Sequence, residues 1–158
     1  DPSRILGQDN LFQYRSYMGI CLRIQPSDKP LDILRSMAAA LTCETPIQIS
    51  YTQGKTPLVV SDQWKHLLPL FRIVEETEDH FLQRVQAGAF KRIRLLSPAD
   101  AALQLAAAES ACHLDFAPVL TNGRFELLHY LREIAISFDY HRYGNLGVRE
   151  GEVRKPIF

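Results

Sequence analysis

This sequence lacks an excess of positive or negative charge, long apolar runs and a hydrophobic leader. Eighteen Lys and Arg residues balance eighteen Asp and Glu residues over 158 positions, so charge gives no reason to expect a nucleic acid or an anionic membrane as partner. No apolar run approaches the ~20 residues that span a bilayer. The polar opening, DPSRILGQDN, lacks the hydrophobic stretch of a signal peptide. We therefore expect a cytoplasmic protein without membrane insertion.

Cysteine is scarce, and its three positions do not suit catalysis. Cys21 falls in a predicted strand, Cys43 near the end of a predicted helix and Cys112 just before another strand. A reactive thiolate needs an electropositive, partly open site, and the dipole at a helix C-terminus disfavours it. Cys112 precedes His113, but neighbouring residues in a strand point to opposite faces. We interpret all three cysteines as buried free thiols in a reducing compartment.

Closely spaced metal ligands are also lacking. The five histidines are scattered along the chain without a close pair; they are His66, His80, His113, His129 and His141. The one acidic run lies at a predicted helix start, where such charges are most often a solvated cap; it contains Glu75, Glu76, Glu78 and Asp79. The sequence therefore predicts no metal site.

Short apolar segments alternate with helical ones along the chain. The segment RIV, from Arg72 to Val74, is a short strand candidate, and longer strands are predicted near Ile20–Ile24, Ile47–Ser50, Ile93–Leu96, Leu114–Phe116 and Ile134–Phe138. Strands that alternate with helices over short connections favour parallel pairs with crossover helices. The sequence therefore predicts an α/β fold with a mainly parallel sheet flanked by helices.

Capping residues place the helix boundaries. Pro30 suits the first turn of a helix. Thr77 is a predicted N-cap, and the helix that follows it should stop near Gly88. Ser97, before a proline, is the predicted N-cap of the next helix. The segment RFELLHYLRE, 124–133, is also predicted to be helical.

This fold class invites nucleotide binding, which the residues do not support. A dinucleotide-binding Rossmann domain needs glycines after its first strand so that the backbone can approach the pyrophosphate. Here the strand that ends at Ile24 is followed by QPSDKP, which has no glycine. No Walker-type loop occurs anywhere in the sequence. We therefore predict that this chain alone binds no cofactor.

The stretch SFDYHRYGN is an unusual ending for an apolar strand. Asp139, His141 and Tyr143 share one parity of an extended chain. Tyr140 and Arg142 share the other. A catalytic interpretation makes Asp139 orient His141 as a general base, but no nucleophile can be identified. Tyr and Arg are favoured where an interface needs apolar bulk with polar handles, so we predict a surface that another protein surface covers.

Four segments carry a resemblance to a known family. In chain order they are LGQDNLFQYR, RSMAAALTCETPIQIS, APVL and YLREIAISFDYHRYGN. From about Gly7 to Glu150 the sequence resembles the C-terminal domain of proline utilization A. That bifunctional bacterial enzyme joins proline dehydrogenase to L-glutamate γ-semialdehyde (1-pyrroline-5-carboxylate) dehydrogenase. The resemblance is one of order and pattern, and no segment in it is catalytic.

The resemblance implies a degenerate aldehyde-dehydrogenase superfamily domain, with a Rossmann-like sheet and an extended C-terminal β-flap. Such a domain lacks the catalytic cysteine and the cofactor loop, and it packs on the dehydrogenase module of the same polypeptide. FAD and NAD then belong to other modules of the parent enzyme, whose proline dehydrogenase passes electrons to membrane quinones. Residues 1–16 would form an N-terminal arm, 17–138 the non-catalytic domain and 139–158 the flap and tail. The start at Asp1 rather than methionine favours a piece of a larger protein.

In that family the terminal motif helps to close the tunnel through which the reactive intermediate passes between active sites. By resemblance this role falls on Phe138, Asp139, Tyr140, His141, Arg142, Tyr143, Gly144 and Asn145. Two alternatives stay open. They are an independent small-molecule-binding α/β domain and a standalone oligomerisation module that pairs with its own copy through the flap.

Overall fold

The computed structural model describes residues 8–55, 57 and 68–139. The chain divides into two compact units. Ser16–Arg132 forms the larger unit, which carries a parallel sheet and its helices. The described residues of the other unit are 8–15 and 133–139.

Strands and helices alternate through the described residues. In chain order they are β1 (Gln8–Ser16), β2 (Ile20–Ile24), α1 (Pro30–Thr42), β3 (Ile47–Thr52), β4 (Arg72–Glu76), α2 (Glu78–Gln86), β5 (Arg92–Leu95), α3 (Ala101–Glu109), β6 (His113–Asp115), α4 (Gly123–Glu126) and β7 (Leu131–Asp139). Short 3-10 turns cover Leu68–Leu70 and Leu127–His129. Among the helices that the structure describes, none combines the length and the apolar character needed to cross a membrane.

The five-stranded sheet has the order β4-β3-β2-β5-β6, and its neighbouring strands pair in parallel. Within this sheet the chain begins at the central strand β2 and proceeds to one edge through β3 and β4. It then returns to the other side of β2 at β5 and ends at the second edge with β6. Numbered within the sheet, this order is 3-2-1-4-5, which is the classic Rossmann order without its sixth strand. The predicted α/β fold with a Rossmann-like, mainly parallel sheet flanked by helices is therefore confirmed.

Both faces of this sheet are covered. Ile20, Leu22 and Ile24 of β2 belong to the apolar cluster that also contains residues of α1. Cys21 points to the opposite face and belongs to the cluster with residues of α2 and α3, as strand alternation requires. Burial on both faces explains why β2 is apolar at nearly every position, which is typical of parallel sheets.

Two of the predicted helix starts are correct and one is wrong. Pro30 begins α1, and the Thr77 hydroxyl accepts a hydrogen bond from the His80 amide at 3.2 Å. The N-cap of α3, however, is Asp100 rather than Ser97. The Asp100 carboxylate accepts from the backbone amide at the third helical position, whereas the Ser97 hydroxyl donates elsewhere.

The end of the described chain also departs from prediction. The predicted helix over 124–133 is helical only through α4 and the following 3-10 turn, because the chain turns at Tyr130 and continues as β7. Tyr130 is 1% exposed, and its carbonyl accepts a hydrogen bond from Thr45 at 2.7 Å. Ile134–Phe138 is a strand, as expected, but it pairs with β1 in a separate two-stranded sheet. Alternating apolar residues predict a strand without indicating its partner.

Candidate functional site

The strand pair of β1 and β7 carries the start of the predicted terminal site. Its alignment follows from three side-chain hydrogen bonds, which join Gln8 to Asp139, Asn10 to Ser137 and Tyr14 to Glu133 at 2.7, 2.5 and 3.0 Å. Rising numbers on β1 meet falling numbers on β7, so the pair is antiparallel. The hydrogen bond and the charge of the Glu133 carboxylate raise the pKa of Tyr14. The Tyr14 hydroxyl therefore remains a donor.

Two of the eight predicted site residues lie on this pair. Phe138 is 55% exposed, and the Asp139 carboxylate accepts the hydrogen bond from Gln8. The other six, Tyr140 to Asn145, lie outside the described residues. Phe12 and Tyr14 are also more than half exposed. By alternation, Phe12 and Phe138 lie on opposite faces, so each face presents an aromatic side chain.

The second candidate position is the crevice in which open α/β sheets bind ligands. It lies at the carboxyl ends of the two adjacent strands between which the strand order reverses. Here these strands are β2 and β5. The Ser97 hydroxyl, after β5, donates to the carboxylate of Asp28, after β2. The same carboxylate accepts from the Gln25 amide at 2.8 Å. A pyrophosphate would meet this carboxylate and no glycine turn, so these residues do not fit a dinucleotide.

On the α2 face of the same carboxyl edge, a buried arginine is fully engaged. Arg23 is 2% exposed. Its guanidinium donates to Ser50 at 2.8 Å and to Glu78 at 2.6 Å, and it lies 4.3 Å from the centre of the Phe81 ring. A buried charge with a carboxylate, a hydroxyl and a ring around it is held in place rather than free to meet a ligand.

Glu76, at the end of β4, continues this network. It is 5% exposed, accepts from Ser50 and Arg84 at 2.7 Å each, and lies 2.8 Å from His80 Nδ1. Burial alone would raise the pKa of Glu76, but the hydrogen bonds from Ser50 and Arg84 and the Arg84 charge outweigh it and hold the pKa below its ordinary value. The prediction of a solvated acidic cap is therefore wrong for Glu76.

A second network lies on the opposite face of the sheet, around Arg94. Arg94 is fully buried, with Asp115 and Glu126 each 3.4 Å from its guanidinium. Asp115 also contacts Arg92 at 2.5 Å and His129 Nδ1 at 2.9 Å. Burial would raise the pKa of Asp115, yet the Arg94 charge, the His129 hydrogen bond and the Arg92 charge lower it. The ionised form of Asp115 is therefore the one that this network stabilises.

The surroundings of all three thiols disfavour the thiolate form. Cys21, Cys43 and Cys112 are free and buried, which confirms the prediction of buried free thiols. Burial raises the pKa of Cys21 to about 12, and it raises the pKa values of Cys43 and Cys112 as well. Within residues 8–55, 57 and 68–139, no three His, Cys, Asp or Glu side chains converge as a metal-binding group.

We expect the native protein to resist thiol labelling. A thiol-exchange reagent should modify the three cysteines far more slowly than a free thiol, because only the thiolate reacts and burial suppresses it. An Ala108→Cys variant, with the new thiol on an exposed position of α3, provides the matched reactive control. Protein mass after timed labelling, with and without guanidinium, measures the difference. Rapid native labelling of Cys112 that is lost in His113→Ala would contradict this expectation.

Comparison with known proteins finds a similarity in structure. No protein-family model matches the sequence, and no curated protein matches it significantly. The structure is similar to that of proline utilization A (PutA) from Corynebacterium freiburgense, with 23% sequence identity and a TM-score of 0.51. The similarity covers 88% of this chain and 11% of that chain. At this identity the likeness shows the fold.

The two buried arginines near the carboxyl edge were not predicted from the sequence. Arg23 and Arg94 lie in segments that read as apolar strands, and their acidic partners come from distant positions. One signal was available: an arginine in the middle of a strand that is otherwise apolar requires a buried partner. Nothing in the spacing identifies Glu78 or Glu126 as that partner.

Proposed function

We propose that this chain is a non-catalytic structural domain of a bifunctional proline-catabolic enzyme, related to the C-terminal domain of proline utilization A. The observation that carries the proposal is the structural likeness to PutA, which extends over 88% of this chain. The chain spans about 11% of the length of that protein. One domain of a much longer oxidoreductase fits these proportions.

The filled carboxyl edge supports a structural role. Arginines at this edge form internal ion pairs with Glu78, Asp115 and Glu126, and the Ser97 hydroxyl donates to Asp28 at the switch point. Groups that would bind a nucleotide or activate a substrate are thereby committed to the fold. FAD and NAD, and both oxidation steps, are assigned in this proposal to other modules of the parent enzyme.

The strand pair is the proposed contact with the dehydrogenase module of the same polypeptide. Phe12, Tyr14 and Phe138 are more than half exposed, which favours burial by a partner surface. The stretch from Tyr140 to Asn145 follows β7 directly in sequence. In the proposal this stretch helps to close the tunnel that carries 1-pyrroline-5-carboxylate between the two active sites.

Truncating the full-length parent enzyme after Phe138 tests this role. Each half-reaction, assayed with its own added substrate, should remain nearly intact, because no catalytic residue is removed. The coupled conversion of proline to glutamate should develop a lag, since the intermediate escapes into solvent before it reaches the second site. Truncation after Asn145 is the matched control, because it retains the whole stretch from Tyr140 to Asn145, and it should show no lag.

The half-reaction rates and the coupled time course together distinguish misfolding from a failure to close the tunnel. A fall of both half-reactions to the same extent would indicate misfolding of the enzyme. An unchanged coupled time course after truncation at Phe138 would contradict the tunnel-closing role.

Self-association is the alternative that the exposed aromatic side chains also favour. An orphaned aromatic surface can pair with a second copy of itself. Sedimentation of the chain measures this directly. A dimer that dissociates when 139–158 are removed would make a second copy, rather than the dehydrogenase module, the partner of the strand pair.

A further inference from the structure

A cleft of about 990 Å³ opens at the amino edge of the parallel sheet. All five strands contribute their first residues to its lining, and the end of α2 and the segment after it complete one wall. This edge is opposite to the carboxyl edge at which α/β folds usually bind ligands. The cleft is therefore a separate feature from the switch point closed by Asp28 and Ser97.

The lining of this cleft is basic, although the whole chain has no net charge. Its titratable side chains, apart from Tyr17 and Cys21, are Arg72, Arg84, Lys91, Arg92, His113 and Arg132, with no Asp or Glu among them. Glu76 neutralises Arg84, and Asp115 neutralises Arg92. Within the described part of the chain, Arg72, Lys91 and Arg132 have no carboxylate partner. Three positive charges therefore remain uncompensated there.

The cleft also contains buried donors that lack acceptors. Gln48 Nε2 and Arg92 Nε are buried, and neither has a hydrogen-bond partner among the residues that the structure describes. Both residues line the cleft. Gln48 is the register partner of Arg72 on the neighbouring strand, so the residue with the unsatisfied amide lies next to one of the uncompensated cations. A buried donor without an acceptor is destabilising, and an acceptor oxygen from a bound group would offset that cost.

Aromatic rings hold two of the cations in place. The Arg92 guanidinium lies 4.8 Å from the centre of the Tyr17 ring, and that of Arg84 lies 4.6 Å from the centre of the Phe90 ring. Both arginines are also fixed by a carboxylate. These two guanidinium groups are therefore positioned before any ligand arrives, which lowers the entropic cost of binding.

Helix ends explain part of this charge. α1 and α2 both end at the amino edge, where the negative ends of their dipoles favour cations. The last turn of α2 is nevertheless closed by its own backbone, with the amides of Ala87 and Gly88 donating to Gln83 and Val85 carbonyls. The helix dipoles explain part of the positive charge, but they do not explain why Gln48 Nε2 and Arg92 Nε have no hydrogen-bond acceptor. A bound anion accounts for both the positive charge of the lining and the donors that lack acceptors.

We propose that this cleft binds a small polyanion that carries phosphate groups. Guanidinium groups match phosphate oxygens in geometry and charge, and three uncompensated cations favour a ligand with several negative charges. An acidic peptide is less well matched, because the cleft crosses the ends of the strands rather than running along a strand edge, where a peptide backbone could pair.

Calorimetric titration of the full 158-residue chain with sodium tripolyphosphate at low salt tests the proposal. The Arg72→Gln/Lys91→Gln double variant should bind at least about tenfold more weakly, because two charge-assisted contacts are lost. Gln48→Leu should weaken binding several-fold without changing the charge. Since this substitution removes an unsatisfied buried donor, it should leave the urea midpoint of unfolding close to that of the wild-type chain.

A matched control keeps the charge change and moves it away from the cleft. Lys29→Gln/Arg124→Gln removes two exposed cations outside the cleft and should leave the affinity within about twofold. Equal loss in both double variants would overturn the proposal, because binding would then follow net charge alone. Absence of binding to the folded wild-type chain would overturn it as well. Binding of a glutamate-rich peptide without binding of tripolyphosphate would assign the cleft to a protein partner instead.

Discussion

Replacing Asp115 with alanine is expected to lower the free energy of unfolding by about 3–5 kcal/mol. Asp115 is 6% exposed and contacts Arg92, Arg94 and His129. Its removal leaves the fully buried Arg94 with one carboxylate, Glu126, at 3.4 Å. An undercompensated buried charge is far more costly than a lost surface pair. Urea denaturation followed by circular dichroism measures the loss.

Two variants separate the charge from other effects of this substitution. Asp115→Asn keeps the shape of the side chain and removes its charge, so most of the loss should remain. Glu109→Ala removes an exposed carboxylate from the last turn of α3 and should change stability by no more than about 0.5 kcal/mol. A loss below about 1 kcal/mol in Asp115→Ala would show that the network around Arg94 does not depend on this carboxylate.

Glu76→Gln is expected to lower stability at neutral pH by about 2–3 kcal/mol and to flatten the acid limb of the stability profile. The pKa of Glu76 is lower in the folded protein than its ordinary value, despite burial, because Ser50 and Arg84 stabilise the carboxylate. Glutamine retains the shape and part of the hydrogen bonding but loses the charge that pairs with Arg84 at 2.7 Å.

The sign of the pH effect follows from this lowered pKa. The unfolded chain binds the proton at a higher pH than the folded chain, so wild-type stability is complete above the ordinary carboxylate pKa and declines as the pH falls through the folded pKa. The difference between wild type and Glu76→Gln should therefore be largest at pH 7 and shrink below about pH 5. Glu75→Gln alters the exposed neighbouring carboxylate and serves as control. A difference that grows on acidification would contradict the lowered pKa.

Much of the sheet could be predicted because its three central strands, β3, β2 and β5, are largely buried on both faces. β2 runs over Ile20–Ile24 as predicted, and β5 and β6 are each shifted by one residue from the predicted strands. Apolar runs bounded by proline, glycine and capping residues carry this information locally. The pairing of Ile134–Phe138 with β1 could not be predicted in the same way, because the choice of partner is a tertiary property.

The candidate sites were less accessible from sequence. The basic cleft draws side chains from the starts of several strands, so its cations are scattered in the sequence and meet only once the strand order is fixed. Arg23 and Glu78 are likewise joined by folding. The aromatic stretch at the end of β7 was visible because its residues are contiguous, and its role as a covered surface stays a prediction.

Within the five-stranded sheet, the strand order also determines which pairing closes the longest stretch of chain. Cys21 of β2 pairs with Ile93 of β5, and this pairing closes a loop of about 70 residues, whereas the other neighbouring strands close loops about a third as long. The longer loop carries an additional closure cost of about 1 kcal/mol. The sheet thus consists of two halves with mostly local connections, and its non-local folding cost is concentrated at the single boundary that the bond from Ser97 to Asp28 also spans.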